Sequence, residues 1–541
     1  MRRLPSVNPF HALLLSLGLA LPAQFANGAE ATHPKKGHVC FQADFENAQP
    51  LGIWSGATRL ETGYLSDNSV VLERKANQPS STVSAILPIE TMRGCTIRGT
   101  AMVRADNVSP KPNSWNGIKC MLIIEGPNGK NYPQAPIETG TFDWRQVGFT
   151  ARIPADAVRV SLVLGLEEVT GTAHFDNIKL VVVRPPAGPQ PSAVAGPMFT
   201  GRNVPRLRGA MVSPSSLNAD SLRVLGHDWN ANLIRWQLIH GGEEHYQYSS
   251  ANYDAWLDGE LKKLDALLPI CEQLGIFVNI DIHSPPGGKV TSGGYMGSDG
   301  RLFTDKACQD KFVEVWQRIA TRYKNVPNIW GYDIANEPVE EDVQEDCDDW
   351  QHLAERTAQA IRKIDPTRAI IVEPTQWGDP SGLKDFIPLT VSNVIYSVHM
   401  YIPHAFTHQR LNGKGPAYRY PGEISGKQWN KEELERALQP AIDFQKRYNV
   451  QIYIGEFSAI RWAPDNSACR YLGDVIDICE KYQWDWSYHA YREWQGWSVE
   501  HGLDPANTTP EAAPTDRQKL LCRWFELNEK GKQSPDSKKK E

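Results

Sequence analysis

Past Glu30 this chain has no apolar run long enough to cross a bilayer, so no helical membrane span is expected. It also lacks an excess of charge. Its 57 lysines and arginines nearly balance 63 aspartates and glutamates, leaving a net charge of −6 with both signs interspersed. That balance gives no electrostatic reason for nucleic acid or an anionic membrane to be the partner. The nine cysteines follow no metal-ligand spacing and include no C-x-x-C pair, so neither a metal nor an organic cofactor is expected. An odd count leaves at least one thiol without a partner in its own chain. An oxidising compartment would still permit Cys40 or Cys120 to bond to Cys95. No internal repeat is evident, which removes solenoids and propellers from consideration.

What the chain does have is tryptophan, 17 residues of it, more flat apolar faces than a globular core ordinarily needs. Such a surplus suits a ligand that stacks, and sugar rings stack. The first 29 residues carry Arg2 and Arg3, then an apolar run around Leu13–Leu21, then small residues before Glu30. That order describes a secretory signal, so a secreted protein, extracellular or periplasmic, is expected. The segment 531–541, GKQSPDSKKKE, reads as a disordered tail.

Residues 185–200 are rich in proline and glycine and cannot hold a helix or a central strand, which marks a linker between two domains. Before it, over 37–184, short alternating stretches such as Ser81–Leu87, Cys120–Ile124, Val158–Leu164 and Ala173–Val183 are spaced by Gly, Pro and Asn turns. This pattern predicts an all-β sandwich of the jelly-roll kind. After it, over 201–530, strand and helix alternate eight times. The expected strands are Leu207–Met211, Ala231–Leu238, Ile276–His283, Trp330–Glu337, Ala369–Pro374, Val394–Tyr401, Gln451–Phe457 and Trp484–Tyr491. The helical stretches between them include Tyr253–Leu274, Asp305–Lys324, Asp348–Ile364 and Lys431–Tyr448, and the weakest crossover is the fifth, near Ser381–Ile387. Continuous apolar strands alternating with amphipathic helices imply a parallel sheet covered by helices, and eight such units close into a (β/α)8 barrel of the α/β class.

In such a barrel the chemistry gathers where the strands end. The second strand carries Arg235, the third ends in His283, the fourth in Asn336-Glu337, the sixth in His399 and Tyr401, and the seventh in Glu456. The eighth runs WSYHAYREW to Trp494. Two carboxylates on opposite sides of one ring suit glycoside hydrolysis, which needs an acid for the leaving oxygen and a carboxylate facing the anomeric carbon. Glu337 and Glu456 are the expected pair. An amide beside the acid, Asn336, can reach a sugar 2-hydroxyl. Each residue alone has a plainer reading as a loop glutamate, a structural histidine or a surface cation; the ordered set at successive strand ends favours catalysis.

RGAM at Arg208, NLIRW around Arg235, DIH ending at His283, ANEP around Glu337, SVHMY around His399 and GEF around Glu456 together resemble glycoside hydrolase family 5, the cellulase-type barrels. The resemblance spans about Pro205 to Lys530 and implies a retaining double displacement with Glu337 as acid/base and Glu456 as nucleophile. It further implies that Arg235 and Tyr401 orient Glu456, that Asn336 holds the 2-hydroxyl, that His283 and His399 line the cleavage subsite, and that a tryptophan of the eighth strand stacks on the sugar. One departure concerns that last role. Where the family often has a W-S-Y-W-like run, this chain has Trp486-Ser487-Tyr488-His489, and Trp494 is the replacement stacking face. The first domain is similar to carbohydrate-binding modules of the family 4 and 9 type through CFQADFE and GTAHFDNIKL, with Trp54, Trp115, Tyr132 and Trp144 available for stacking. The expectation is therefore a monomeric β-glycosidase acting on a polysaccharide, most simply an endoglucanase cutting β-1,4-glucan. Mannan or mixed-linkage glucan is the second substrate class, and a non-catalytic sugar-binding scaffold is the rival of another kind.

Overall fold

The computed structural model describes residues 34–46, 53–56, 59–127, 129–186, 191–240, 249–288, 301–340 and 343–530. The expected signal segment, the tail and residues 289–300 of the glycine-rich excursion after the third barrel strand lie outside the described residues.

The first domain is two antiparallel sheets face to face. One runs in the order Arg59–Glu61, Ser69–Arg74, Gly171–Arg184, Thr96–Val108, Gly140–Arg152, with Val39–Ala43 also paired to Gly171–Arg184. The other runs Trp54–Ser55, Ser81–Ile86, Arg159–Glu167, Gly117–Gly126, Gly129–Asn131. Side chains alternate across a strand, so Ile97, Ala101, Val103 and Ala105 enter the core with Leu122, Leu162 and Phe175, while Arg104 on the same strand faces outward toward Trp144. The four aromatics named above do not share one face. Trp54 is core, packed against Phe41 and Phe45, although its short strand lies at the edge of the sheet. Trp144 lies against Tyr64 and His174, and only Trp115 and Tyr132 are largely exposed.

The second domain is a closed parallel barrel of eight strands, here β1 Arg208–Val212, β2 Leu233–Leu238, β3 Phe277–Ile282, β4 Ile329–Asp333, β5 Ala369–Val372, β6 Val394–Met400, β7 Ile452–Phe457 and β8 Asp485–Tyr488. Every residue of β1 to β8 is buried, which is why these segments read as unbroken apolar runs and not as alternating ones. Leu207, Leu233, Phe277, Trp330, Ile371, Ile395 and Tyr453 fill one end of the barrel, and a larger cluster fills the space between strands and helices. Helix starts obey capping chemistry: Ser249 caps Ser250–Leu274, Asp305 caps Lys306–Tyr323 and Asp349 caps Trp350–Arg362, each accepting a backbone N–H of the first turn.

Strand and helix bounds differ from expectation in detail. The fourth strand stops at Asp333, four residues before Glu337, because Ile334 and Asn336 turn their N–H groups to neighbouring strand ends, Ile371 and Ile282. The fifth crossover, expected to be the weakest, is a short 3-10 turn, Pro380–Lys384. The stretch Lys431–Tyr448 is two helices, since Pro440 can only start the second. All nine cysteines are thiols, so the cross-link that an oxidising compartment would permit, Cys40 or Cys120 to Cys95, is not formed, although Cys40 and Cys95 approach the same Thr91 carbonyl at 3.9 and 4.0 Å.

The linker is stitched to the barrel: Val194 N donates to Tyr448 O at 2.9 Å, and Asn449 Nδ2 donates to the carbonyls of Val194 and Gly196. At the barrel's closed end, fully buried Asp485 accepts from Arg202 Nε at 2.9 Å and from Leu207 N at 2.8 Å. Asp485→Ala strands a buried guanidinium. The expected cost is about 3–5 kcal/mol, read as a lower urea midpoint at unchanged m-value; a loss below about 1 kcal/mol would contradict this account.

Candidate active site

β2 delivers Arg235 into the middle of the barrel with none of its side chain exposed. Its Nη1 donates to Glu456 Oε1 at 2.7 Å, its Nε to Asp333 Oδ2 at 2.8 Å and its Nη2 to Glu373 Oε1 at 2.9 Å, while Asp281 Oδ1 lies 3.2 Å from Nη2. Both Nη groups also reach Asn336 Oδ1 at 3.1 Å. Burial alone would drive the proton off, but the surrounding carboxylates outweigh it and hold Arg235 charged. Four carboxylates exceed what one cation can neutralise. Asp333 is accordingly pushed up to about 8 by burial, against the pull of Arg235.

Glu456, at the end of β7, is nearly buried and receives Tyr401 Oη at 2.9 Å on its second oxygen, with His489 Nδ1 at 3.2 Å and His399 Nδ1 at 3.7 Å. Burial would raise its carboxyl; His399, His489 and Arg235 overcome that and keep it well below the usual range, an anion at any neutral pH. His399 meets Glu337 Oε1 at 2.9 Å through Nδ1 and Glu373 Oε1 at 3.0 Å through Nε2. Burial works to lower it, yet Glu373 and Glu456 hold it well above an ordinary histidine. Gly455 makes room for this ring, since a Cβ there would sit 3.0 Å from His399 Nε2 and 2.6 Å from Ser397 Oγ.

Glu337 stands at the rim with its side chain 22% exposed and its backbone left-handed at φ 45, a conformation rare for a non-glycine residue. Its N–H is tied to Glu373 Oε2 at 2.9 Å. One oxygen of Glu337, one ring nitrogen of His399 and one oxygen of Glu456 lie within 4.8 Å of one another. Three donors so close could hold a metal ion. The protonated His399, engaged by carboxylates at both nitrogens, has no lone pair to offer one.

These residues line a cleft of about 1080 Å³ together with His283, Tyr401 and Trp494. His283 Nδ1 is 2.9 Å from Asp281 Oδ2 and its Nε2 is 3.1 Å from Asn336 Nδ2. With Asn336 Oδ1 accepting from Arg235, the amide nitrogen must face His283, whose Nε2 accepts and whose proton sits on Nδ1. Trp494 is 38% exposed on the cleft wall, edge-on to Trp462 and Trp497 with ring centres 6.0 and 5.5 Å away. Six of the eight residues expected from the sequence thus line one cleft, and the other two, Arg235 and Asn336, lie buried behind it in contact with Glu456 and His283.

Asp281, Asp333 and Glu373 were not among the residues expected from the sequence, and His489 and Glu493 were expected only as a departure that reshapes the stacking subsite, not as partners of Glu456. Glu373 carried a readable signal, for VEP at the end of β5 repeats the strand-then-carboxylate pattern of ANEP. Asp281 lies two residues before His283, on the same face of β3. His489 hydrogen-bonds Tyr401 and, through Nε2, faces Glu493 Oε1 at 3.7 Å, and Glu493 accepts from Gln237 Nε2 at 2.5 Å. It stands where the related run has a tryptophan, a cation in place of an apolar face.

An eight-stranded parallel barrel with a buried cation, two histidines and paired glutamates at the carboxyl ends of its strands defines a glycoside-hydrolase class of site. Within that class the chain belongs to the cellulase family, glycosyl hydrolase family 5, whose sequence model matches residues 196–499, more than half the chain. Endoglucanase C of Acetivibrio thermocellus is 28% identical over 262 residues, covering 43% of this chain and 73% of that relative. Cellodextrinase A of Ruminococcus flavefaciens is 23% identical over 300 residues, covering 55% and 83%. Among solved structures, Thermotoga maritima Cel5A in complex with cellobiose superposes with a TM-score of 0.45 at 23% identity, covering 58% of this chain and 97% of that one.

Burial opposes the charge on His489, but Glu456 and Glu493 raise it to about 10. A folded-state value above the unfolded one of about 6.5 means stabilisation complete below about pH 6.5 and lost as pH climbs through about 10. His489→Gln should therefore melt a few degrees below the parent at pH 6, a deficit on the order of 1 kcal/mol or more, and the gap should close by about pH 10. A gap that stays constant across this range would refute the charged imidazole.

Proposed function

We propose that this family 5 hydrolase is a retaining enzyme in which Glu456 attacks the anomeric carbon and Glu337 protonates the leaving oxygen, then deprotonates the incoming water. The observation that carries the reading is the approach of Glu337 and Glu456, with oxygens within 4.8 Å. Retaining enzymes hold their carboxyls about 5–5.5 Å apart, whereas an inverting pair needs about 6.5–9.5 Å to admit water between them. The electrostatics agree with the division of labour. Glu456 is an anion held by Arg235 and Tyr401, as a nucleophile must be. Glu337 is the carboxylate on the open side, where a leaving group departs, and His399 Nδ1 touches its Oε1, a cation beside the carboxylate form that Glu337 holds between the two steps until it takes the proton of the incoming water. Asn336 stands between Arg235 and His283 at the height of the pair, suited to a 2-hydroxyl. Trp494 offers a ring face to a bound sugar.

The substrate favoured is a β-1,4-linked glucan cut internally, a reading supported by the family and by relatives named endoglucanase. Mannan and mixed-linkage glucan remain the second class, because subsites are shaped by loops. Secretion rests on the character of the first 29 residues. The domain limits proposed are 37–184 for the sandwich and 201–530 for the barrel, and a monomer is proposed.

Glu337→Ala and Glu456→Ala, assayed on a panel of soluble β-glucans and mannans, should each lower kcat/KM on the order of 10³-fold or more. Azide should restore Glu456→Ala as the α-glycosyl azide and Glu337→Ala as the β-glycosyl azide. Reducing sugar released at parental rates by either variant, or an α-anomer as the parent's first product, would sink the assignment. For the sandwich, exposed Trp115 and Tyr132 support contact with the same glycan. A full-length Trp115→Ala/Tyr132→Ala variant should migrate faster than the parent through a gel containing the substrate polysaccharide, and equal mobility removes that role.

A further inference from the structure

Among the described residues, the sandwich grips chiefly one barrel loop, the segment between β4 and the helix Trp350–Arg362, with Arg152 Nε also 3.2 Å from Asp385 Oδ1 in the crossover after β5. Thr150 Oγ1 accepts from Val343 N at 3.1 Å, Lys179 Nζ meets Glu345 Oε1 at 3.1 Å, and Lys36 Nζ donates to Cys347 O at 2.6 Å. Arg184, the last residue of the strand Gly171–Arg184, reaches deepest, with Nη2 donating to Glu340 Oε2 at 3.1 Å and Nε facing Asp349 Oδ2 at 3.2 Å. The Glu340 and Asp349 side chains are 9% and 0% exposed, so this is a desolvated triad and not a rim pair. The loop it holds opens at Glu337.

From that triad a continuous set of hydrogen bonds runs to the rim of the cleft. Glu340 Oε1 accepts from Trp350 N at 2.5 Å, Trp350 Nε1 donates to Glu373 O at 2.7 Å, and Glu373 Oε2 accepts from Glu337 N at 2.9 Å. Asp349 is also the N-cap of the helix that Trp350 begins, accepting from His352 N at 3.0 Å. Without the guanidinium, Asp349 would keep His352, whose Nδ1 is 2.9 Å from its Oδ1, while buried Glu340 would lose its nearest cation beside a second carboxylate and would swing out or take up a proton. Trp350 and the turn after Glu337 would move with it.

We infer that Arg184 of the sandwich is a positioning residue for Glu337, holding the catalytic loop through Glu340 and Asp349 across the domain boundary. The inference rests on the reading of Glu337 as the general acid. A left-handed glutamate is held in place only by surroundings that over-determine it, and here part of those surroundings belongs to the other domain. Misplacing an acid by a fraction of its hydrogen-bond length weakens proton delivery to the leaving oxygen but leaves the nucleophile's path open.

The full-length chain separates this from a merely structural role through the leaving group. Arg184→Met should lose on the order of 10-fold or more in kcat/KM on the soluble polysaccharide, whose leaving alcohol needs a proton, while keeping nearly parental kcat/KM on a 2,4-dinitrophenyl glycoside, whose leaving group needs none. Arg184→Lys should fall between, and Lys179→Ala, at a half-exposed pair on the same interface, should match the parent on both substrates. Glu340→Gln, which keeps the Trp350 hydrogen bond and drops the charge, repeats the experiment if Arg184→Met does not fold. Equal losses on both substrates, or parental activity on both, would overturn the bracing. Glu337→Ala run alongside must show the same leaving-group signature on a larger scale. If it does not, the acid assignment falls and the inference with it; if it does, a flat Arg184 profile overturns the bracing alone.

Discussion

Everything at the catalytic end of the barrel is arranged around one desolvated guanidinium. Arg235 binds side chains delivered by β3, β4, β5 and β7, so the ends of four strands and of its own are fixed by a single cation. Removing a charge of that kind from water is very unfavourable unless its hydrogen bonds are filled, and here the carboxylates fill them. The converse also holds. None of the four carboxylates could stay buried without it, and their excess over one positive charge is what recruits protons onto His399, His489 and Asp333. The site is thus a single electrostatic unit in which the proton affinities of Arg235, His399, His489, Asp333 and Glu456 are set by one another.

This arrangement also explains how two glutamates a few ångströms apart differ. Glu456 sits among Arg235, Tyr401 and two imidazoles, and negative charge there is well supported. Glu337 meets His399 at 2.9 Å and opens to solvent. Position along one gradient of cation density, rather than any difference in side-chain chemistry, separates the two.

Much of this was legible in the sequence because barrels impose a strict rhythm. All eight strands were found from unbroken apolar stretches, and the six strand-end motifs led to residues that do converge. What escaped notice escaped for physical reasons. Asp281 and Asp333 lie inside strands and look like interruptions of an apolar run; their meaning depends on Arg235 occupying the space opposite, which no local pattern encodes. His489 was visible only as a missing tryptophan, and its partners Tyr401 and Glu493 come from separate loops. Trp54 misled because a tryptophan between turns looks the same whether it faces a sugar or a core. The early end of β4 was hidden because Ala335 and Ile334 stay buried after leaving the ladder.

The placement of the sandwich contacts on the segment that follows Glu337 has an evolutionary consequence. Accessory modules of secreted enzymes are usually exchanged freely, since a module on a tether can be lost or replaced without disturbing the body it hangs from. The proposed bracing through Arg184 would restrict that freedom here. Any recombination that swaps the first domain must bring an arginine to the same place or change the loop at the same time, so the two halves of this gene are expected to be inherited together, and their substitutions to track one another at Arg184, Glu340 and Asp349.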